Sequence, residues 1–259
     1  MIRTSKLNQL NQFLNETGGM ASFALRYFRE RGKAGYEFKE FLKQCYFTGY
    51  TSFPLVGLTG FIVGMVLTMQ LRPALVQYGV ESQLPQMVGI AIIREIGPII
   101  TALIFAGKIA SSMGAELGSM KETEQIDAME VSGTSPFKYL VVTRVAAATL
   151  TLPILVILAD AVALYGSFVG MNIRSNTSFT LFFRQVMGIL KFGDVLPAFV
   201  KTFFFGFAVG LIGCYKGFNA AKGTEGVGKA ANTAVVIASV SIFFIDLIAV
   251  QITDLLGLN

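Results

Sequence analysis

Apolar residues run along this chain in five long blocks, at about 52–78, 86–113, 142–171, 195–215 and 231–256. Each block supplies the roughly 20 residues that a helix needs to cross a bilayer core. The pattern predicts an all-α integral membrane protein with about five transmembrane helices. Residues 1–48 read differently. Leu7, Leu10, Phe13 and Leu14 recur at helical spacing, Gly18-Gly19 interrupts, and Phe38, Phe41, Leu42 and Cys45 fall at i, i+3, i+4 and i+7 with Lys39, Glu40 and Lys43 on other faces. Aromatic residues alternate here with Arg and Lys, as in helices that lie in the headgroup layer. A soluble cap is the plainer alternative. The chain therefore divides into an amphipathic interfacial segment, 1–48, and a transmembrane domain, 49–259. Between the third and fourth blocks, 172–194 holds an apolar stretch too short to span, which predicts a short external helix on the membrane.

Composition agrees. Of 259 residues, 53% are hydrophobic and only 14% charged, and the mean hydropathy is +0.62. A soluble domain carries about a quarter charged residues. The net charge of +5 is no nucleic-acid signal, because the basic residues gather at the ends of apolar blocks. The chain has no His, which excludes histidine metal sites, Ser-His-Asp triads and histidine proton relays. Cys45 and Cys214 cannot build a disulfide framework. Apolar density begins only at about Phe53, too late for a cleavable signal peptide, and Glu16, Glu30, Glu37 and Glu40 make the start too acidic for a transit peptide. The strongly basic first segment places the N-terminus in the cytoplasm by the positive-inside rule. The 114–141 and 216–230 loops are then cytoplasmic and the C-terminus lies outside, although Arg174, Arg184 and Lys191 in the 172–194 loop weigh the other way.

Small residues sit four apart at Gly60 and Gly64, Gly166 and Gly170, and Gly206 and Gly210, which predicts close helix packing. The string GTEGVGKA at 223–230 matches a phosphate loop except that Ala230 stands where a hydroxyl is needed, and an apolar helix precedes it instead of a strand. It is read as a cytoplasmic turn. Arg94, Glu95, Asp160, Lys201 and Asp246 all fall within apolar blocks. Each costs a few kcal/mol or more in hydrocarbon unless paired or hydrated, so each is expected to face protein or a wet cavity. Glu95 and Lys201 sit towards the same side of the bilayer, where an ion pair is possible, and such a pair could serve transport or only fix helix register. Asp160 and Asp246 are expected to be structural. Lys108 can snorkel to lipid phosphates. Pro98 and Gly97 can loosen the second block.

The densest acidic cluster, AELGSMKETEQIDAMEV at 115–131, lies between the second and third blocks. On one continuous helical wheel Leu117, Met120, Ala128 and Val131 cluster, Glu124 intrudes, and Ile126 and Met129 point elsewhere. From the window alone a solvated loop is the simpler reading.

Two longer strings carry a resemblance: REIGPIITALIFAGKIASSMGAELGSMKETEQIDAMEVSGTSPFKYLVVTR at 94–144 and GFNAAKGTEGVGKAANTAVV at 217–236. With the number and spacing of the spans, the chain from about residue 45 onward resembles the MlaE-type (YrbE) family of ABC-transporter permeases. Lys108 stands where relatives often have Arg. The resemblance implies a phospholipid-transporting permease of the bacterial inner membrane, working as a homodimer and driven by a separate ABC ATPase subunit that binds the ATP and Mg. It implies no catalytic residue, metal or cofactor in this chain. It also implies an MCE-domain lipid-binding partner on the periplasmic side, and raises a small STAS-type subunit as a further partner. On this view 115–131 is a coupling helix, with Glu116, Gly118, Glu124, Gln125 and Met129 meeting the ATPase. Arg94, Glu95, Lys201, Gly64 and Leu67 would border a lipid cavity. A stand-alone channel or secondary transporter using the intramembrane charges is the alternative, and an intramembrane enzyme lacks the necessary groups.

Overall fold

A computed structural model describes the backbone of residues 2–32 and 37–257, with side chains described from residue 14 onward within those ranges. The described residues form eight helices: α1 (Ile2–Arg31), α2 (Phe38–Gln77), α3 (Glu81–Glu122), α4 (Gln125–Val131), α5 (Phe137–Asn172), α6 (Phe179–Ile189), α7 (Phe192–Phe218) and α8 (Thr224–Leu255). Five of them, α2, α3, α5, α7 and α8, are long and apolar enough to cross a membrane. They match the five apolar blocks. α2 has 40 residues, about 60 Å at 1.5 Å per residue, so it is longer than the hydrocarbon core is thick.

The start of α2 has a buried polar stripe and an exposed apolar side. Glu40, Gln44, Thr48, Ser52 and Val56, four apart, are buried, whereas Phe38, Leu42, Tyr46, Phe47 and Tyr50 are exposed. The polar stripe faces the bundle. Gln44 donates to Glu40 (2.8 Å), Tyr139 donates to the other oxygen of Glu40 (3.2 Å), and Thr48 pairs with Thr151 (3.2 Å). Lipid solvates the apolar side, so the ordinary inside-out rule of a soluble helix is inverted. The helix expected over Phe38–Cys45 is thus the first turns of α2, which runs unbroken across residue 48 into the first span, where the sequence pattern put a division.

α5 is the central element, packed along both α2 and α7. Its contact with α2 rests on reciprocal small residues. A Cβ on Gly64 would strike the backbone carbonyl of Ala163, and one on Gly166 would strike that of Phe61. The backbones approach until no side chain fits between them, which gains dispersion contacts that lipid cannot supply. Gly206 and Gly210 repeat the arrangement against Ala148 and Val145. The expected packing role of these glycines is therefore met. Thr68 and Ser167 hydroxyls pair across the first interface at 2.6 Å.

One end of the bundle carries α1 and α4. Phe23 of α1 meets Phe137 and Tyr215 edge-on at 4.9 and 5.4 Å, and Arg26 lies over the Phe137 ring at 4.2 Å. α1 does not break at Gly18-Gly19. Gly19 instead lets the Tyr215 hydroxyl approach the helix closely. The side chains of Leu7, Leu10 and Phe13, on which the amphipathic reading rested, lie outside the described residues. The opposite end carries α6, capped by Ser178, whose hydroxyl accepts from the Leu181 N–H. Phe182 and Val186 of α6 are buried against Leu84 and Val88, while Phe179, Leu181 and Phe183 stay exposed. This is the short surface helix expected for 172–194. The GTEGVGKA string is a glycine turn at Gly223 (φ 95°) followed by the first turns of α8. It follows α7, not a strand, so the geometry of a phosphate loop is missing.

Candidate functional site

The sequence of α3 sets up the site. Pro98 has no N–H for the Arg94 carbonyl, and the helix answers with a wide turn over Ile92–Ile96 in which the Gly97 N–H bonds to the Ile92 carbonyl. Arg94 and Glu95 lie on this turn. Lys201 of α7 reaches across and donates to Glu95 at 2.7 Å and to Asp246 of α8 at 2.8 Å. Three spans are therefore tied through one ammonium. The Lys201 side chain is 4% exposed, Asp246 14% and Glu95 38%. The cation is buried, one carboxylate is nearly so, and the other opens to the outside of the single chain. The expected Glu95–Lys201 pair is present, and Asp246 shares it.

Around this cluster the structure adds two features. Arg94 pairs with Asp194 at 3.4 Å, and Asp194 also accepts the Lys191 N–H to cap α7 (3.0 Å). Asp160 of α5 packs against Gly97, where any side chain would collide with its carboxylate oxygen Oδ1. That oxygen is buried with no hydrogen-bond partner among the described residues. Gly97 thus makes room for Asp160 as well as loosening the turn. Gly64 and Leu67 are engaged in packing: Gly64 is buried against Ala163, and Leu67 is half-buried against the cluster of Leu75, Leu84 and Ile92.

The acidic window is not one helix. α3 continues to Glu122, Glu124 takes the left-handed conformation (φ 57°), and α4 begins at Gln125. The break turns Ile126 into the core and leaves Met129 half-buried against it, which a single wheel through 115–131 could not anticipate. Glu124, Gln125, Asp127 and Glu130 remain exposed. Two of the expected coupling residues are bound within the chain. Gly118 is buried with Ala220 and Val227 over it, and Glu116 accepts from Arg144 at 2.7 Å. Arg144 escaped the sequence reading although it stands inside the third apolar block. It is 3% exposed and also donates to the Leu140 carbonyl (3.1 Å). Lys108 does not snorkel outward; its ammonium is bound to the Thr51 carbonyl of α2.

An all-α bundle of five membrane-length helices, with an ionised cluster joining three of them and an exposed acidic helix at one end, defines a multi-pass membrane protein with a polar site inside its bundle. The family model described as Permease MlaE matches residues 41–252, and the chain belongs to that family. It is 36% identical over 215 residues to a probable ABC transporter permease protein of Rickettsia typhi, covering 83% of this chain and 82% of the relative. It is 30% identical over 254 residues to the intermembrane phospholipid transport system permease protein MlaE of Haemophilus influenzae, covering 92% and 97%. A probable ABC transporter permease protein of Synechocystis is 35% identical over 202 residues, covering 78% and 77%.

Proposed function

We propose that this chain is the membrane subunit of an ABC transporter that moves phospholipid between the inner membrane and an MCE-type lipid-binding partner outside it. The observation that carries the reading is the match to the MlaE permease family across the whole bundle, with a phospholipid permease among the relatives aligned nearly end to end. The α1/α4 end is then cytoplasmic and the α6 end periplasmic, in keeping with the basic first segment. A second copy of the chain would face the open side on which Glu95 is exposed. ATP and Mg belong to the separate ATPase subunit.

The geometry supports a mechanical division of labour. α4 offers an acidic, exposed face, Glu124, Gln125, Asp127 and Glu130, while Ile126 anchors it to the bundle. A push on α4 reaches α3 through the short break at Thr123–Glu124, and α3 carries Glu95 and Arg94 in its far half. Gly118 and Glu116 serve that transmission by holding α3 against α8 and α5, so their role is to keep the lever rigid. Movement of α3 against α7 and α8 bears directly on the Lys201 cluster. A lipid headgroup passing Glu95 would meet paired charges that can exchange partners without leaving a charge bare in hydrocarbon. No covalent bond changes in this chain.

The test is phospholipid transfer by the permease reconstituted with its ATPase and outer partner. Gln125→Ala combined with Glu124→Gln is expected to lower ATPase stimulation and transfer together, with unchanged melting. Full transfer by this variant would sink the docking role of α4. Transfer by the permease alone, without nucleotide, would favour the stand-alone transporter.

A further inference from the structure

At the α6 end of the bundle α2 and α5 part beyond Gly170. A groove of ≈ 580 Å³ opens between them, with Met69, Val76 and Ile173 as apolar walls and Arg72 and Arg174 as its charged groups. The Arg72 guanidinium is held in place. Its Nε and Nη2 donate to Glu81 Oε1 at 2.8 and 2.7 Å, and Nη2 also donates to the Arg174 carbonyl at 3.1 Å. Its Nη1 is buried and has no acceptor. A charged donor left without an acceptor is costly, so a small turn of the guanidinium, whose side chain is 16% exposed, towards an acceptor supplied from outside the chain is favoured. Among the described residues the Arg174 side chain makes no ion pair. Two arginines against one glutamate leave the groove with a surplus positive charge.

Depth narrows the identity of the acceptor. Arg72 precedes the end of α2 at Gln77 by five residues, or about 8 Å along the helix. The first apolar block begins at about residue 52, and the roughly 20 residues that cross the core bring the chain to Arg72, at the headgroup layer where lipid phosphates sit and away from the bilayer centre. Guanidinium groups bind phosphate oxygens through paired charge-assisted hydrogen bonds. Met69, about one turn before Arg72, and Gly170, about one turn before Arg174, lie on the hydrocarbon side of the arginines and leave room for an acyl chain, whereas Val76 and Ile173 flank the headgroup end. This groove lies between α2 and α5, apart from the Lys201 cluster between α3, α7 and α8.

We infer that the α2–α5 groove is a binding site for an anionic phospholipid, its phosphate held by Arg72 and Arg174, its headgroup flanked by Val76 and Ile173, and one acyl chain entering past Met69 and Gly170. The inference uses the membrane placement of the bundle and is independent of transport, so it is tested by retention of lipid and not by transfer.

The delipidated full-length protein would be titrated with phosphatidylglycerol or phosphatidylcholine and the bound lipids counted by native mass spectrometry. The parent is expected to hold one phosphatidylglycerol in preference to phosphatidylcholine by about tenfold, because the two share the phosphate but the choline cation of the latter is repelled by the groove's surplus positive charge. Arg174→Gln, which removes an exposed side chain with no ion pair, is expected to abolish that preference with unchanged melting. Glu81→Gln, which frees Arg72, is expected to strengthen it. Equal phosphatidylglycerol retention by parent and Arg174→Gln would overturn the site. Displacement of the lipid by an equal concentration of inorganic phosphate would show a free-phosphate site and overturn the lipid assignment.

Discussion

Replacing Lys201 by Met keeps most of the stem's volume and removes the ammonium that Glu95 and Asp246 share. Those two carboxylates accept from one nitrogen at 2.7 and 2.8 Å, so they stand within about 6 Å of each other, and two unit charges at that distance repel by about 3 kcal/mol at an effective dielectric near 20. Breaking a buried ion pair by removing one partner costs about 3–5 kcal/mol in general. Glu95 is 38% exposed, so water screens part of its loss, and the lower end, about 3 kcal/mol, is expected. For a chain of this size that corresponds to a fall in melting temperature of about 5–10 °C. The chain has no Trp, so unfolding is best followed with a thiol-reactive dye that reports the release of buried Cys214. Asp246→Asn is expected to cost more than Glu95→Gln, because Asp246 is 14% exposed and has less water to replace the lost partner. The triple variant Lys201→Met, Glu95→Gln, Asp246→Asn carries no buried charge at the cluster, and is expected to recover to within about 1 kcal/mol of the parent. If Lys201→Met melts with the parent, and the triple variant is no better, the claim that this ammonium neutralises two buried carboxylates is wrong. If the triple variant is stable and still transfers lipid at the parental rate, the cluster is a structural clasp and no part of the lipid path.

Gly64→Val drives a side chain into the Ala163 carbonyl and is expected to cost about 2 kcal/mol or more by separating α2 from α5. Gly57→Ala, with open space around it, should change melting by less than about 1 kcal/mol. Glu124→Gly relieves a left-handed residue and should melt at or slightly above the parent, by up to about 1 kcal/mol. The same variant loses a carboxylate from the proposed docking face, so ATPase stimulation should fall in the same sample. At the α1/α4 end, Arg144→Ala removes a cation that is 3% exposed and its bonds to Glu116 and the Leu140 carbonyl, for an expected loss of about 3 kcal/mol. Glu116→Ala should cost only about 1 kcal/mol, because its half-exposed carboxylate can be replaced by water; equal losses in a paired melting series would contradict that asymmetry.

Much of this protein is written locally. Twenty apolar residues in a row can only be a buried or membrane-crossing helix, so five spans were legible without any structure, and so were the glycine pairs that let them approach. The need for Lys201, Glu95 and Asp246 to find partners was equally legible, because bare charges do not persist in hydrocarbon. Which carboxylates shared the ammonium was not, since residues 95, 201 and 246 meet only when α3, α7 and α8 are packed. Helix faces were the least readable feature. Along Phe38–Thr48 the polar side turns inward and the aromatic side outward, a choice made by the lipid outside and by Tyr139 and Thr151 inside, with the same 3.6-residue period either way. At 115–131 a single residue in the left-handed region, Glu124, rotated everything after it. Ile126 went into the core, whereas Gly118, before the break, was already committed to α8. Periodicity determined that these segments are helices; the packing of distant helices decided where each one bends and which side it shows.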